Sequence, residues 1–593
     1  TVLDGLRNVI PCGAALTLHQ QLSSLVDAYK RTDVDEASKM GIFSLSSKII
    51  DRAEAAESLR ANVVWCYSPV PFDVSLATET VKTFRLGQDP ASETLLTGQK
   101  GNYFVKMRFD EEPGAEVKWH IAADSGKDHT DLSALRDTIT GSGSLDADIE
   151  KSITEAVVAL ERNVGSADGL QLTGYEEASV HHFANVLFNN MRGGVFADNY
   201  AVESSDLADF IRFRNSEVAE REKRFISDLP ERLNVEELLE KVAGTGDPDL
   251  ERLCHEYLPI FFGRRHGDPS RPWNRFSIHL KDREGGRLLR YEGNWRDIFQ
   301  NWEALCMSFP GFLPSVTAKF VNASTVDGFN PYRIMREGID WETVDPDDPW
   351  SYIGYWGDHQ IIYLLKFLES LTKFYPGALE GMLAREIFSY ADVPYRIKPY
   401  EDILDDPDST IEYDHKRARL VDERVEAVGP DGRLLHDSGG AVYHVNLLEK
   451  LLVPVLSKVS NLVPDGGIWM NTQRPEWNDA NNALVGNGIS MVTLSYLRRH
   501  VRFLAGLLDR VGDTGMPVSA EVSDWFSAID SILASARGLL DGKAVDDSDR
   551  KRVLDMLGRA FSEYRSKVYA KGFSGKRTVR TGKLAGFFST VLV

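Results

Sequence analysis

Apolar residues in the first two hundred positions come in short runs or alternate with polar ones. Gly41-Ile42-Phe43-Ser44-Leu45, Ala61-Asn62-Val63-Val64-Trp65-Cys66, Thr83-Phe84-Arg85-Leu86, Tyr103-Phe104-Val105-Lys106-Met107 and Val117-Lys118-Trp119-His120-Ile121 are five such stretches. Turn residues such as Asp89-Pro90 and Pro113-Gly114 punctuate them. A period of two between turns predicts strands, here of an antiparallel β-sandwich. A helix over about 149–163 interrupts it, after the flexible stretch 140–148. Residues 1 to about 30 read as an amphipathic helix, or as a strand and then a helix.

Farther on the period changes. Leu207, Phe210, Ile211 and Phe213, then 235–242 and 250–258, repeat at helical spacing before the Pro-rich break 263–273. Beyond 291 the spacing predicts helices near 296–308, 310–322, 357–373, 376–389, 440–461, 488–510, 518–540 and 546–568. The elaborated segments 322–356 and 462–487 fall between helices. The expected architecture is α+β: a β-sandwich over 1–204, a helical linker over 205–290 and a helical toroid over 291–593. Eight helices are two-thirds of a twelve-helix barrel. The C-terminus from Gly572 is basic and Gly-rich, which predicts no closing helix. The toroid is therefore expected to be incomplete, in a fragment or a chain completed by another.

At 593 residues the chain needs two or three domains. Hydrophobic residues at 42% suffice for large cores and exclude a disordered chain. A net charge of −21 argues against nucleic acid or an anionic membrane as partner. Cys12, Cys66, Cys254 and Cys306 stand far apart, so free thiols in a reducing, cytoplasmic compartment are expected. No apolar run is long enough to span a bilayer. A start at Thr1 points to residues upstream.

The densest chemistry is in Gly467–Gly486, which holds Glu476, Trp477, Asn478, Asp479 and Asn482. Neither helical nor strand periodicity explains this window. It reads as an irregular loop feeding a helix near Gly488, or as a cluster of caps. Carboxylates beside a Trp suit a sugar: the ring offers an apolar face, and one carboxyl can hold a proton for a leaving oxygen. Arg296, Gln300 and Glu303 share one face of a helix, with Asp297 and Asn301 on the next. They suit a fork onto hydroxyls, or a capped helix with an Arg–Glu pair. Trp341, Trp350, Trp356 and three Tyr crowd the loops around Asp340 and Asp358-His359, as a carbohydrate platform would. Asp358-His359 has no further ligand at metal spacing, so no metal is expected. His181-His182 reads as a structural pair in the β part.

These motifs, in this order, resemble the cellobiose phosphorylase family and its clan of (α/α)6-barrel glycosidases. Arg296-Asp297-Ile298-Phe299-Gln300-Asn301 is similar to that family's Arg-Asp-x-x-Gln-Asp, with Asn at the last place. Glu476-Trp477-Asn478-Asp479 is similar to its Asp-Trp-Asn-Asp loop, with Glu first. Gly357-Asp358-His359-Gln360 resembles its Ser-Asp-Asp segment. The resemblance implies that Glu476 is the general acid and that Trp477 and Asp479 shape the sugar subsites. It also implies that Arg296 and Asp297 hold the sugar on the non-reducing side. A homodimer is expected by the same analogy.

The family's phosphate-binding elements are not recognisable, so inverting hydrolysis of a glucan or oligosaccharide is the first expectation. It requires no cofactor and a base at roughly 6.5–9.5 Å from the acid. Asp358, Asp340 and Asp297 are the candidates, in that order. A phosphorylase using inorganic phosphate as co-substrate is the second expectation. A non-catalytic glycan-binding or scaffold module of a larger protein is the third.

Overall fold

The computed structural model describes residues 1–593 apart from 52, 54, 142, 144, 267–276, 283–285, 331–332, 342, 344–358, 472–485 and 541–544. The protein is an α+β chain of two compact units, Thr1–Ala159 and Leu160–Val593.

The first unit holds two antiparallel sheets. Its strands are β1 (Val2–Val9), β2 (Lys30–Val34), β3 (Gly41–Leu45), β4 (Ala61–Tyr67), β5 (Phe72–Ser75), β6 (Leu95–Thr97), β7 (Gly101–Met107) and β8 (His120–Lys127). The larger sheet runs β6-β2-β3-β4-β8, the smaller β1-β7-β5. Phe43, Val64 and Cys66 from the larger sheet share one core with Val74, Tyr103, Val105 and Met107 from the smaller. Val63 and Trp65 point the other way, into a cluster with Met40 that Leu132, Leu135, Leu145 and Ile149 cover. Strand β4 therefore reads as an unbroken apolar run rather than an alternation, because both of its faces are buried.

Three of the expected early elements are corrected. Thr83-Phe84-Arg85 lies in the short helix Thr80–Arg85, not in a strand. Its alternation covers only four residues, Thr83 to Leu86, too short to separate a helical turn from a strand. The last expected strand begins at His120 and continues through polar residues to Lys127, held by pairing with β4. His181 and His182 lie in the helix Glu176–Gly193, and His182 Nε2 is 2.8 Å from the Asp168 carbonyl oxygen.

The second unit is mostly helical. Helices α1 (Trp295–Ser308), α2 (Leu313–Asn322), α3 (His359–Phe374), α4 (Leu447–Val459), α5 (Met491–Val511), α6 (Ala520–Leu540), α7 (Asp547–Lys571) and α8 (Thr581–Leu592) frame it. Every residue of α4 is buried, Glu449, Lys450 and Lys458 included. The expected helix at 376–389 is only Ala378–Met382. Beyond it, Phe388 and Ala391 enter isolated β-bridges with Val445 and Leu434. The C-terminus does close in a helix: Lys576–Arg580 pairs with Gly515–Ser519, and α8 follows with Leu584, Phe587 and Phe588 buried. Its basic approach hid this apolar period. A further helix, His415–Val428, has no apolar face to mark it: Val421 is its one buried residue, and half of its residues are charged.

Candidate functional site

Two of the sequence-predicted clusters lie outside the described residues: Glu476, Trp477, Asn478, Asp479 and Asn482, and the pair Trp356 and Asp358. What the structure shows is how both segments are anchored. The strands β12 (Ile468–Trp469) and β13 (Ile489–Ser490) pair antiparallel, so the segment 472–485 leaves and re-enters the fold at one place. The exit is pinned twice. Gly486 N–H donates to the Met470 carbonyl at 2.6 Å, and Trp469 Nε1 donates to the Gly486 carbonyl at 2.8 Å. Gly486 has φ +78, and a Cβ there would lie 2.4 Å from Pro407 Cβ. Strand β13 then runs directly into α5, whose first turn Ser490 caps by accepting from Thr493 N–H.

Segment 344–358 runs into α3, of which His359 is the first residue. Helices α3 and α5 are neighbours and parallel. Arg499 pairs with Glu369 of α3 at 2.8 Å, and Arg510 with Glu380, in the short helix Ala378–Met382 just beyond α3, at 2.5 Å, both across 130 positions. Contacts that advance together along both stretches of chain mean that these run the same way. Helix α1 joins them: the rings of Trp295 and Tyr363 lie 6.2 Å apart, and those of Phe299 and Phe367 lie 5.8 Å apart, again at one offset. Three parallel helices thus begin at one end of the unit. Each is entered from a segment in which the sequence placed candidate residues.

Arg296 and Asp297 occupy the first turn of α1, and Asp297 is half-buried. Gln300 is exposed. Glu303 pairs with Lys366 of α3 at 2.8 Å, a bond between helices. Asn294 precedes the helix without capping it. Its Oδ1 and the Trp295 Nε1 are buried and have no hydrogen-bond partner among the described residues. Such groups cost free energy unless something satisfies them.

Asp340 reaches the same place through a sheet. Strands β9 (Glu292–Asn294), β10 (Arg333–Met335) and β11 (Gly338–Asp340) pair so that Asn294, Arg333 and Asp340 lie in one row. At about 4.8 Å per strand, Asp340 is roughly 10 Å from the start of α1. Its carboxylate is held at both oxygens: Arg433 Nη1 donates to Oδ1 at 3.0 Å and Arg333 Nη1 to Oδ2 at 3.3 Å. Arg333 Nη1 also reaches Glu292 at 3.5 Å. The Arg433 guanidinium stands 5.3 Å from the centre of the Trp341 ring, which is half-buried against the core. Sequence reasoning missed both arginines as partners of Asp340. Nothing local to Arg333 marks its partner, and Arg433 is 93 positions away.

The Asp340 segment is tied in turn to a buried charge network. Arg214 and Arg252 both bind Asp431, the first through Nε at 3.0 Å and the second through Nη2 at 2.5 Å. Glu256 takes Arg214 at 2.9 Å and Asn322 at 2.8 Å. Burial alone would lift the Asp431 carboxyl, but Arg252 and Arg214 hold it below the ordinary carboxylate range. Among the described residues, no group of three or more His, Cys, Asp and Glu is placed to hold a metal ion. Nor is any helix long and apolar enough to cross a membrane.

Residues 196–259 match the family model "Glycoside hydrolase family 149 insertion domain 1". The matched segment contains Arg214, Arg252 and Glu256, and so contributes three members of that network. The match supports a glycoside hydrolase or phosphorylase family, and cellobiose phosphorylase in particular has no counterpart in it. No curated protein matches the chain.

Proposed function

We propose that the protein is a carbohydrate-active enzyme that cleaves glycosidic bonds of a glucan or oligosaccharide. The observation that carries this reading is the common end of α1, α3 and α5, toward which the segments holding Arg296, Asp340, Asp358 and Glu476 all lead. The glycoside hydrolase match supports it independently, in a different stretch of the chain. On this reading residues 291–593 carry the chemistry as a toroid of paired helices, with a β-sandwich before it.

In this proposal Glu476 gives its carboxyl proton to the glycosidic oxygen as the C–O bond breaks. A water attacks the opposite face of the sugar, and Asp358 takes its proton, so that the anomeric centre inverts. Asp340 is engaged at both oxygens by Arg333 and Arg433, which suits a group that fixes a sugar hydroxyl rather than one that removes a proton. Arg296, Asp297, Gln300, Trp341, Trp356, His359, Trp477, Asn478, Asp479 and Asn482 form the sugar subsites. The reaction uses no cofactor.

A second reading replaces the water by inorganic phosphate. Three helix N-termini at one end favour an anion there, since their backbone N–H groups and dipoles present positive potential. The test is release of reducing sugar or sugar phosphate from α- and β-linked gluco-oligosaccharides, with and without phosphate, for the wild type and Glu476→Gln. Turnover lost in the variant supports the acid, and dependence on phosphate selects the second reading. Full turnover in Glu476→Gln overturns the assignment of the acid. No turnover by the wild type favours a glycan-binding module.

A further inference from the structure

A cavity of about 10 Å³ adjoins strand β11 and the buried charge network, where Arg214, Glu256, Lys319, Asn322, Gly338 and Ile339 line it. All six are buried. Space on that scale holds one water or one monatomic ion and nothing larger. None of the six belongs to the sugar subsites proposed above.

The groups around it are short of acceptors. Asp431 Oδ1 accepts from Arg214 Nε at 3.0 Å, and its Oδ2 from Arg252 Nη2 at 2.5 Å. Glu256 Oε1 accepts from Asn322 at 2.8 Å, and its Oε2 from Arg214 Nη2 at 2.9 Å. The Asn322 side-chain carbonyl accepts from the Ser389 N–H at 2.9 Å. Three buried donors are left over: Arg214 Nη1, Arg252 Nε and the Tyr291 hydroxyl have no hydrogen-bond partner among the described residues. Lys319 is scarcely better served. Its hydrogen bond to the Arg336 carbonyl is long, at 3.4 Å, and its ammonium stands 5.7 Å from the centre of the Tyr291 ring. The Arg336 guanidinium turns to Asp206 at 2.6 Å.

The charges tell the same story as the donors. Arg214, Arg252 and a protonated Lys319 outnumber Glu256 and Asp431. Asp249, 3.5 Å from Arg252, is shared with Arg221 and His444. Glu337, half-buried, attracts Lys319 less than Glu256 does. Buried donors without acceptors and a buried excess of positive charge both cost free energy. One ligand that only accepts, and is negative, answers both. A water adds two hydrogens where the acceptors are already engaged. We propose that this cavity binds one monovalent anion of chloride size, held by Arg214 and Lys319 beside Tyr291. Burial first, and Arg214 second, push Lys319 down to about 7. The anion and the lysine proton therefore bind together, and affinity falls as the pH rises above that value.

The test has two parts. One is thermal melting of the full chain at about pH 6, with chloride or bromide replacing gluconate at one ionic strength. The other is anomalous diffraction from crystals grown in bromide. Each halide should raise the melting temperature along a saturating single-site curve. The half-effect concentration should be at least about tenfold higher at pH 9. Lys319→Met should melt at one temperature in all three salts, and the wild-type map should show a bromide peak between Arg214 and Lys319. An equal halide response in wild type and variant, a half-effect concentration that ignores pH, or an ordered water in place of bromide would each overturn the proposal. If Lys319→Met does not fold, the wild-type map still decides. No readout depends on turnover, so this site stands or falls apart from the cleavage reading.

Discussion

Arg433 donates through Nη1 to the Asp340 carboxylate at 3.0 Å and to the Ile339 carbonyl at 2.6 Å. One guanidinium from another part of the chain therefore fixes both the backbone and the side chain at the end of β11, and it also covers the Trp341 ring. If Asp340 and Trp341 contact sugar, Arg433 acts by positioning them. Arg433→Gln should raise KM about tenfold, or about 1.4 kcal/mol, with a smaller change in kcat. Arg433→Lys should restore part of the charge but not the forked geometry. Steady-state kinetics on the best oligosaccharide would check this, and a fall in kcat at constant KM would refute a positioning role.

Asp431 is fully buried between two arginines. Asp431→Asn leaves Arg214 and Arg252 to share Glu256, with Asp249 3.5 Å from Arg252, and should cost about 3–5 kcal/mol. Urea unfolding would measure it. The wild-type pair also has a pH signature. The Asp431 carboxyl is held below its unfolded range, so its contribution is complete at neutral pH and is lost as the pH falls through the folded value. Acid unfolding of the variant should accordingly be less steep than that of the wild type.

Lys319 gives the same sign of slope at the other end of the scale, from a penalty at neutral pH rather than a gain. Burial first, and the Arg214 charge second, push this lysine down from 10.5 to about 7. Between those values the unfolded chain carries a proton that the folded protein lacks. Stability should therefore rise with pH across this window, with a limiting slope of about 1.4 kcal/mol per pH unit from this residue. The difference between wild type and Lys319→Met isolates it. A difference that stays flat from pH 7 to pH 10 would show that Lys319 keeps an ordinary affinity for its proton.

Gly486 closes the segment that carries Glu476. At φ +78, with Pro407 where a Cβ would go, an alanine is strained and must push Pro407 or the segment aside. Gly486→Ala should lower kcat at least tenfold and cost about 1–3 kcal/mol of stability. Kinetics together with a thermal melt would separate a moved loop from a lost fold. Unchanged kcat would mean that the exit of this segment does not govern the chemistry.

The sequence was most legible where one face, or every face, of an element is apolar. Helices α1, α2, α3, α5, α6 and α7 lie within a few residues of their expected ends, because core-facing periods of several turns leave little choice. It was least legible where tertiary partners decide. The charged helix His415–Val428 and the closing strand Lys576–Arg580 bury one residue each, Val421 and Val579. The clamp on Asp340 joins residues 93 positions apart, and ion pairs at such range leave no periodicity to read. The candidate site motifs were visible as composition, aromatics and amides crowded between helices. The fact that α1, α3 and α5 share an end required their parallel packing.

The register that aligns Asn294, Arg333 and Asp340 depends on a two-residue link, Arg336-Glu337, between Met335 and Gly338. Successive side chains of a strand face opposite ways, so this link acts as a parity bit for everything beyond it. One residue more or fewer would turn Asp340 away from Arg333 and Arg433 while every helix kept its place. Two residues more would restore the facing at a longer reach. Variation in this turn should therefore change its length only in pairs and keep Arg336, which binds Asp206 at 2.6 Å.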